Sequence, residues 1–464
     1  MGDSPDTTPG TDRTRDSGPA DHDATTATTH STDRVDDGPD DSTVGDPTDR
    51  ASMVAVAMTV MNVATYVFTM IAARLTGPGD YGAFVAALNL LTVLQVAALG
   101  VQASAARRIA AAPHDAVPVE RAIMRLTLRL SLGLGVLLLL AVPLTEKALG
   151  LDEPAMAVVI ALAAVPLTYT GAQMGVLQGE RRWRALAVAY LMAGIPRLAI
   201  GAALLWWRPD AMSALLGVSF GYLFPVAFGL VALRRIGASR ARSAAEESEA
   251  DHSAWSVLRE SLHNSQTLFA YFALSSVDIL VARQVLDQHD SGLYAAGLIL
   301  TKTMLFLPQF VVVIAFPAMS TPAGRRRALL GSLGLVGALG VAGTIASWAL
   351  ADVALFFVGG SEFAEITSSL WLFAVLGTLL SWIQLLVYSV LARQGRRTVA
   401  AVWIALVLLV VTGLEAGSTN QLLGVVIAVD LLLFAALLVG ALLLLRREQQ
   451  QLAVGAELSS EPPA

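Results

Sequence analysis

Asp278 is the residue whose position in this sequence carries the strongest chemical implication. It lies inside the apolar segment SSVDILVARQVL at residues 275–286, and Arg283 follows in the same segment. A short polar turn comes next, and Gly292 and Tyr294 open the following apolar segment. A carboxylate at the centre of a membrane-spanning helix costs about 2.5–3.5 kcal/mol even on insertion scales, so it usually faces a protein interior or a water-filled cavity. Asp278 is therefore a candidate functional residue.

Three further ionisable residues lie deep in apolar segments: Arg197, Lys302 and Asp430. Counted from the ends of their segments, these residues and Asp278 lie about 8–10 residues deep, which is ~12–15 Å of helix. This depth is near the bilayer midplane, where transporters usually have their binding sites. Asp278 and Lys302 lie on adjacent segments and could pair. Such a pair would either only neutralise two buried charges or take part in function.

Polar side chains form stripes on four of the apolar segments, because steps of three, four and seven residues stay on one helical face. The stripes comprise Thr59, Asn62, Tyr66 and Thr69; Asn89, Thr92, Gln95 and Gln102; Thr267, Tyr271, Ser275 and Asp278; and Lys302 and Gln309. A water-filled cleft would accommodate all four stripes, whereas hydrogen bonds between helices would explain them without a cleft. We favour the cleft for Asn62, Gln95 and Asp278, and contacts between helices for the threonines and serines.

An internal repeat relates the two halves of the chain. The segment AARLTGPGDYGAF at residues 72–84 resembles VARQVLDQHDSGLY at residues 281–294, with Arg74 matching Arg283 and Gly82 matching Gly292. Both arginines lie near one membrane surface. They either anchor their helices there by extending toward water or clamp a phosphate through bidentate hydrogen bonds.

The elements that position these residues are membrane-spanning helices. The chain is 55% hydrophobic and only 15% charged, whereas soluble domains carry about 25% charged residues. A span needs about 20 apolar residues. The predicted fold is all-α, with 12 transmembrane helices in two pseudo-symmetric six-helix lobes around a central cavity. The predicted spans cover residues 52–74, 81–105, 126–145, 155–178, 185–207, 211–233, 265–286, 292–318, 328–350, 366–391, 398–414 and 420–445.

Arginine clusters follow every second span, and the other connections hold only Arg74, Lys147, Arg208 and Arg283. The positive-inside rule therefore predicts a multi-pass protein of the cell membrane with both termini in the cytoplasm. The predicted domains are a disordered cytoplasmic tail at 1–50, a six-helix lobe at 51–233, a cytoplasmic linker at 234–264, a second lobe at 265–447 and a tail at 448–464.

Several classes of function lack their signatures in this sequence. The chain has no cysteine, which excludes disulfides and thiolate chemistry. Its six histidines show no metal-ligand spacing, and no Walker-type glycine loop is present. The predicted outer connections are too short to hold a transferase or polymerase site. We therefore expect neither an enzyme nor a bound cofactor, and we expect transport to be coupled, if at all, to H⁺ or Na⁺.

The ordered set of segments resembles a known family. AARLTGPGDYGAF, GVQASAARRIA, VLQGERRWRALA, SSVDILVARQVL and FPAMS, taken in this order, look like the Wzx-type oligosaccharide flippases. These belong to the multidrug/oligosaccharidyl-lipid/polysaccharide (MOP) exporter superfamily, and the resemblance covers residues 51–447. It implies two lobes around a cavity that alternates between inside-open and outside-open states. It also matches Asp278, Arg74 and Arg283 to recurrent family positions.

The resemblance implies a transporter that flips a polyprenyl-pyrophosphate-linked oligosaccharide to the outer leaflet, for extracellular polysaccharide or cell-wall polymer synthesis. Membrane lipids, a polysaccharide polymerase and glycosyltransferases would be its partners, and nucleic acid would not. The alternative is a cation-coupled multidrug exporter of the same superfamily. The expected cavity residues are Asn62, Tyr66, Arg74, Gln95, Arg197, Tyr271, Asp278, Arg283, Lys302 and Asp430. Related flippases tend to have a cationic cavity, whereas two acids oppose two cations here.

Overall fold

The computed structural model describes residues 47–111, 116–151, 153–240, 269–305, 325–391 and 396–460. In the first half of the chain the helices are α1 (Pro47–Ala111), α2 (Ala116–Leu140), α3 (Val142–Leu149), α4 (Pro154–Gly179), α5 (Trp183–Trp207), α6 (Ala211–Gly221) and α7 (Leu223–Arg240). In the second half they are α8 (269–285), α9 (Gln288–Met304), α10 (Arg325–Ala349), α11 (Ala351–Val358), a 3₁₀ helix (Ser361–Ser369), α12 (Leu370–Leu391), α13 (Arg396–Gly413) and α14 (Thr419–Ser460). No strand occurs in these ranges.

Helix α1 contains two predicted spans joined by a kink. The kink lies at Gly77, whose φ of 71° and ψ of 172° are not helical, and Pro78 follows it. Glycine adopts a positive φ without steric cost, and proline has no amide hydrogen to continue the helix. The sequence LTGPGD therefore turns the chain between the first two spans without a loop.

Most of the described helical residues belong to segments long and apolar enough to cross a membrane. Eight described helical segments meet that description by length and composition, and Val399–Gly413 is a shorter apolar helix. The first of the eight, Ser52–Ala111, holds two predicted spans because of the kink. Predicted spans seven and eight fall partly outside the described residues, as do the N-terminal tail and most of the linker. The fold is thus all-α and membrane-spanning.

Small residues let the helices of the first half approach closely. Gly171, Gly175 and Gly179 of α4 lie four residues apart, and a Cβ on each would meet backbone atoms of α1 at Ala98, Gln102 and Ala106 respectively. Glycines at this spacing are a common device for packing helices in membranes, where no hydrophobic effect drives association. This contact fixes the part of α1 that follows the kink against α4.

The two halves contain a further matching pair of elements. Helices α3 and α11 are each eight residues long and start at positions 142 and 351, the same separation as Arg74 and Arg283. A glycine with positive φ follows each helix, Gly150 at 56° and Gly360 at 90°. Both helices end beside the kink of α1 and the start of α9. We call this end of the bundle the α3 end.

Candidate functional site

Asp278 lies on α8 and is buried, with 2% of its surface exposed. Its carboxylate accepts two hydrogen bonds, one at Oδ1 from the backbone N–H of Ile279 at 2.8 Å and one at Oδ2 from the hydroxyl of Tyr294 at 3.2 Å. Tyr294, on α9, is itself fully buried. Donors from two helices therefore hold this carboxylate in a defined orientation.

Lys302 lies on α9 near Asp278, but its ammonium group does not contact the carboxylate. The Nζ atom donates to the backbone carbonyl of Ser275 at 2.9 Å, and these two described side chains have no N–O contact within 4.0 Å. The expected pair is thus an attraction through space rather than a hydrogen-bonded ion pair. Lys302 and Asp278 thus each contact the backbone of α8, at Ser275 and at Ile279 respectively, which are four residues apart.

Asp430 of α14 completes the group of charges in the second half. It is 1% exposed, and its Oδ1 has no hydrogen-bond partner within the described ranges. It lies within electrostatic range of both Asp278 and Tyr294. Two buried carboxylates and one lysine carry a net charge of −1 if all are ionised. Burying an uncompensated charge is costly, so the described part of this group leaves a charge to be balanced.

Arg197 of α5 is the deep cation of the first half. It is 8% exposed and its guanidinium lies over the ring of Tyr222, 4.7 Å from the centroid. Gly221 provides room for the arginine, because a Cβ there would lie 2.7 Å from the Cβ of Arg197. Its Nε has no hydrogen-bond partner in the described part of the chain. Arg197 thus belongs to the first half of the chain, whereas Asp278 and Asp430 belong to the second.

Two amides of the predicted cleft remain accessible. Asn62 on α1 is partly exposed and Gln95, also on α1, is exposed, and neither side chain makes a hydrogen bond to another described residue. The hydroxyl of Thr303 donates to the hydroxyl of Tyr66 at 2.6 Å, a contact between the two halves. Tyr271 instead donates to the carbonyl of Leu380 at 3.1 Å, inside the second half.

The expectation that the stripe threonines join neighbouring helices is wrong for the three that the structure describes. Thr59, Thr69 and Thr92 each donate to the carbonyl four residues earlier in the same helix, at 2.9 Å. A threonine hydroxyl on a helix readily makes this local bond, which satisfies it without a second helix. Ser275 likewise bonds to the carbonyl of Phe272. The predicted stripe members Thr267 and Gln309 lie outside the described residues.

Arg283 and Arg74 lie at the α3 end and reach across between the halves. Arg283 is buried and donates to the carbonyls of Leu149 and Gly150 and to the hydroxyl of Ser291. Arg74 is exposed and donates to the carbonyl of Phe356 at 2.5 Å. Gln284, which sequence reasoning missed, makes similar bonds beside Arg283. Its position next to Arg283 in the repeated segment was the available signal.

No group of three or more histidine, cysteine, aspartate or glutamate side chains that could hold a metal ion occurs among the described residues. The geometry therefore offers a buried acid pair near a lysine, a buried arginine in the other half, and accessible amides on α1. Such a set presents charged and polar groups in the interior of an apolar helix bundle.

Solved structures share this fold. An inward-facing multidrug resistance transporter of the MATE family, in the MOP superfamily, matches with a TM-score of 0.66 over 86% of this chain and 98% of its own, at 12% identity. The eukaryotic MATE transporter AtDTX14 matches with a TM-score of 0.61 over 87% of this chain and 98% of its own, at 13% identity. A MOP superfamily transporter from Pyrococcus furiosus, whose binding pocket is described as having reverse polarity, matches with a TM-score of 0.53 over 87% and 97%, at 14% identity.

The chain thus shares the fold of MATE transporters, and its described helices include segments long and apolar enough to cross a membrane. The sequence profile of the family described as "Polysaccharide biosynthesis protein" matches residues 49–323. The chain belongs to this family. No curated protein matches the sequence.

Proposed function

We propose that this protein flips a polyprenyl-pyrophosphate-linked oligosaccharide from the inner to the outer leaflet of the cell membrane by alternating access. The family match over residues 49–323 carries the proposal, because it joins polysaccharide biosynthesis to a transporter fold. In the proposed orientation both termini are cytoplasmic and the α3 end faces outside, since the arginine clusters lie at the opposite end. A polysaccharide polymerase and glycosyltransferases are the proposed partners.

The accessible amides of Asn62 and Gln95 support an oligosaccharide headgroup as the substrate. Sugar hydroxyls are both donors and acceptors, as side-chain amides are. The lipid tail would stay in the membrane while the headgroup passes along these residues. Arg197 and Lys302 are the deep cations proposed to face the pyrophosphate, and Asp278 and Asp430 are proposed to couple the cycle to H⁺ or Na⁺.

Leaflet-specific labelling of the lipid-linked oligosaccharide tests this function. A membrane-impermeant glycosidase added to right-side-out vesicles should cleave the sugar in the parent strain and leave it intact after deletion. The variants Asn62→Leu and Gln95→Leu should lower the cleaved fraction. Thr59→Val is the matched control, because its exposed hydroxyl only bonds within its own helix. Normal cleavage after deletion, in a strain without a paralogue, would refute the proposal.

A second candidate function is export of amphipathic cations. The buried acids Asp278 and Asp430 favour it, because a cationic drug needs carboxylates on its path. Drug resistance would then depend on both acids, whereas the amides of Asn62 and Gln95 would be dispensable for it. Alanine substitution at these four positions, scored for both polymer output and drug resistance, separates the two functions.

A further inference from the structure

The C-terminal end of α3 is capped by residues from the other half of the chain. The last carbonyls of a helix have no partner within the helix and need a donor from elsewhere. The carbonyls of residues 147–150 all find one in α8. Gln284 donates to the carbonyls of Lys147 and Ala148 at 2.8 and 3.1 Å. Arg283 donates to the carbonyl of Leu149 at 3.3 Å and to the carbonyl of Gly150. A cation at a helix C-terminus also interacts favourably with the helix dipole.

Helix α11, the counterpart of α3 in the second half, also accepts a hydrogen bond from an arginine of the other half. Arg74 donates to the carbonyl of Phe356, in the last turn of α11, at 2.5 Å. Its guanidinium also lies over the Phe356 ring, 3.8 Å from the centroid. Each half therefore contributes an arginine to the end of the short helix of the other half. The contacts are reciprocal, as expected for a repeat related by an axis along the membrane normal.

The backbones of the two halves meet between these arginines. A Cβ on Gly82 of α1 would lie 3.1 Å from the Cα of Gly292 of α9, and a Cβ on Gly292 would overlap the backbone of Pro78. Gly82 and Gly292 are the equivalent glycines of the repeat. Nearby, the rings of Tyr81 and Phe363 contact edge to face, with centroids 6.1 Å apart. The α3 end is thus closed by direct backbone contact.

We propose that Arg74 and Arg283 are reciprocal latches that hold the α3 end closed by capping the short helices α3 and α11 across the interface. Opening this end withdraws both guanidinium groups and leaves both sets of helix carbonyls exposed to water. Hydrogen bonds with a charged donor are about twice as strong as neutral ones, so the latches favour the closed state. The role is conformational and does not depend on the identity of the substrate.

A single introduced thiol can report on the latches, because the natural chain has no cysteine. Ala296 of α9 is fully buried and lies one helical turn beyond Gly292, on the same face. In the full-length Ala296→Cys protein, a membrane-impermeant maleimide added from the α3 end should react slowly. Arg283→Lys and Arg74→Gln should each speed the reaction about ten-fold, since hydrogen bonds to charged groups contribute enough to shift an equilibrium by that factor. Lysine cannot reproduce the forked donors of Arg283.

Arg208→Gln is the matched control. Arg208 lies in another connection that the sequence assigns to the same membrane side, but it pairs with the nearby Asp210 at 2.5 Å and its side chain is 70% exposed. The Arg208→Gln substitution should leave the maleimide labelling rate of Ala296→Cys unchanged. If Arg283→Lys fails to fold, the exposed Arg74→Gln decides the question. Unchanged labelling in a folded Arg74→Gln protein, or an equal increase in Arg208→Gln, would overturn the proposal.

Discussion

Substitution of Gly292 by alanine should open the α3 end. A Cβ at this position would overlap the backbone carbonyl group of Pro78 and lie 2.8 Å from its Cα. A backbone atom cannot rotate away as a side chain can, so α1 and α9 must separate. Overpacking of this kind costs about 1–3 kcal/mol. If that cost falls only on the closed state, the ratio of open to closed protein rises about 5- to 150-fold.

Spin labels at Ala148→Cys and Ala364→Cys can measure this change in the otherwise cysteine-free chain. Both alanines are exposed at the α3 end, one on α3 and one in the 3₁₀ helix of the other half. Pulsed electron paramagnetic resonance should show a longer-distance population in Gly292→Ala. Gly82→Ala should give a smaller one, because its Cβ would meet the Gly292 backbone at 3.1–3.2 Å.

Gly133→Ala is the matched control for the glycine substitutions. Gly133 is exposed on α2, and a Cβ there would meet no described atom within 4 Å. The Gly133→Ala substitution should leave the measured distance distribution unchanged. Its only expected effect is to favour the helical conformation of α2 by about 1 kcal/mol. If Gly292→Ala gives the same distribution as the parent protein, the backbone contact does not keep this end closed and the reasoning fails.

Three further predictions concern the charged and polar groups inside the bundle. Tyr66→Phe should lower the free energy of unfolding by about 0.5–1.5 kcal/mol, and a double-mutant cycle with Thr303→Val in detergent should show coupling; strictly additive effects would exclude the bond. Asp430→Asn should leave the free energy of unfolding unchanged or raise it, because the substitution removes a buried charge. Asp278→Asn should lower it by about 1–3 kcal/mol, because two hydrogen bonds are disturbed. Thermal unfolding that ranks the two variants the other way would contradict these roles of the two carboxylates. In vesicle transport assays, Arg197→Gln should raise the substrate concentration for half-maximal rate and leave the pH dependence of transport unchanged. Asp430→Asn should alter that pH dependence. A pH profile that changes in Arg197→Gln alone would refute these separate roles of the arginine and the acid.

The sequence was sufficient to find the buried charges but not their partners. Asp278 was predicted to lie deep in an apolar helix and to face a water-filled cleft. In the structure it is buried, and its carboxylate accepts from Ile279 and Tyr294. Its contact with Tyr294 depends on how α8 and α9 cross, which periodicity does not give. Lys302 was expected near Asp278 from depth alone, and depth does not distinguish a carboxylate from the Ser275 carbonyl as its acceptor.

The spacing of glycines indicates close helix packing only where the glycines stay on one face of the helix. The glycines from Gly331 to Gly343 are small residues of the kind that pack helices closely, and a Cβ on Gly337, Gly340 or Gly343 would meet a neighbouring side chain. The same series also includes Gly331 and Gly334, where a Cβ would meet no described atom within 4 Å. A spacing of three drifts around a helix by 60° at each step, so such a series cannot stay on one face. The segment GAQMGVLQG at 171–179, with its spacing of four, was the better signal.

The repeat preserves the latches but not the charges. Arg74 and Arg283 are equivalent in the repeat, and so are Gly82 and Gly292, because both halves need the same contacts to close one end. At the repeat separation, Asp278 corresponds to Thr69, which carries no charge and bonds within its own helix. A gate that opens and closes between two halves needs matching parts on each side, whereas a binding group is needed only once. The buried acids of the second half and the buried arginine of the first are therefore the residues in which the two halves have acquired different tasks.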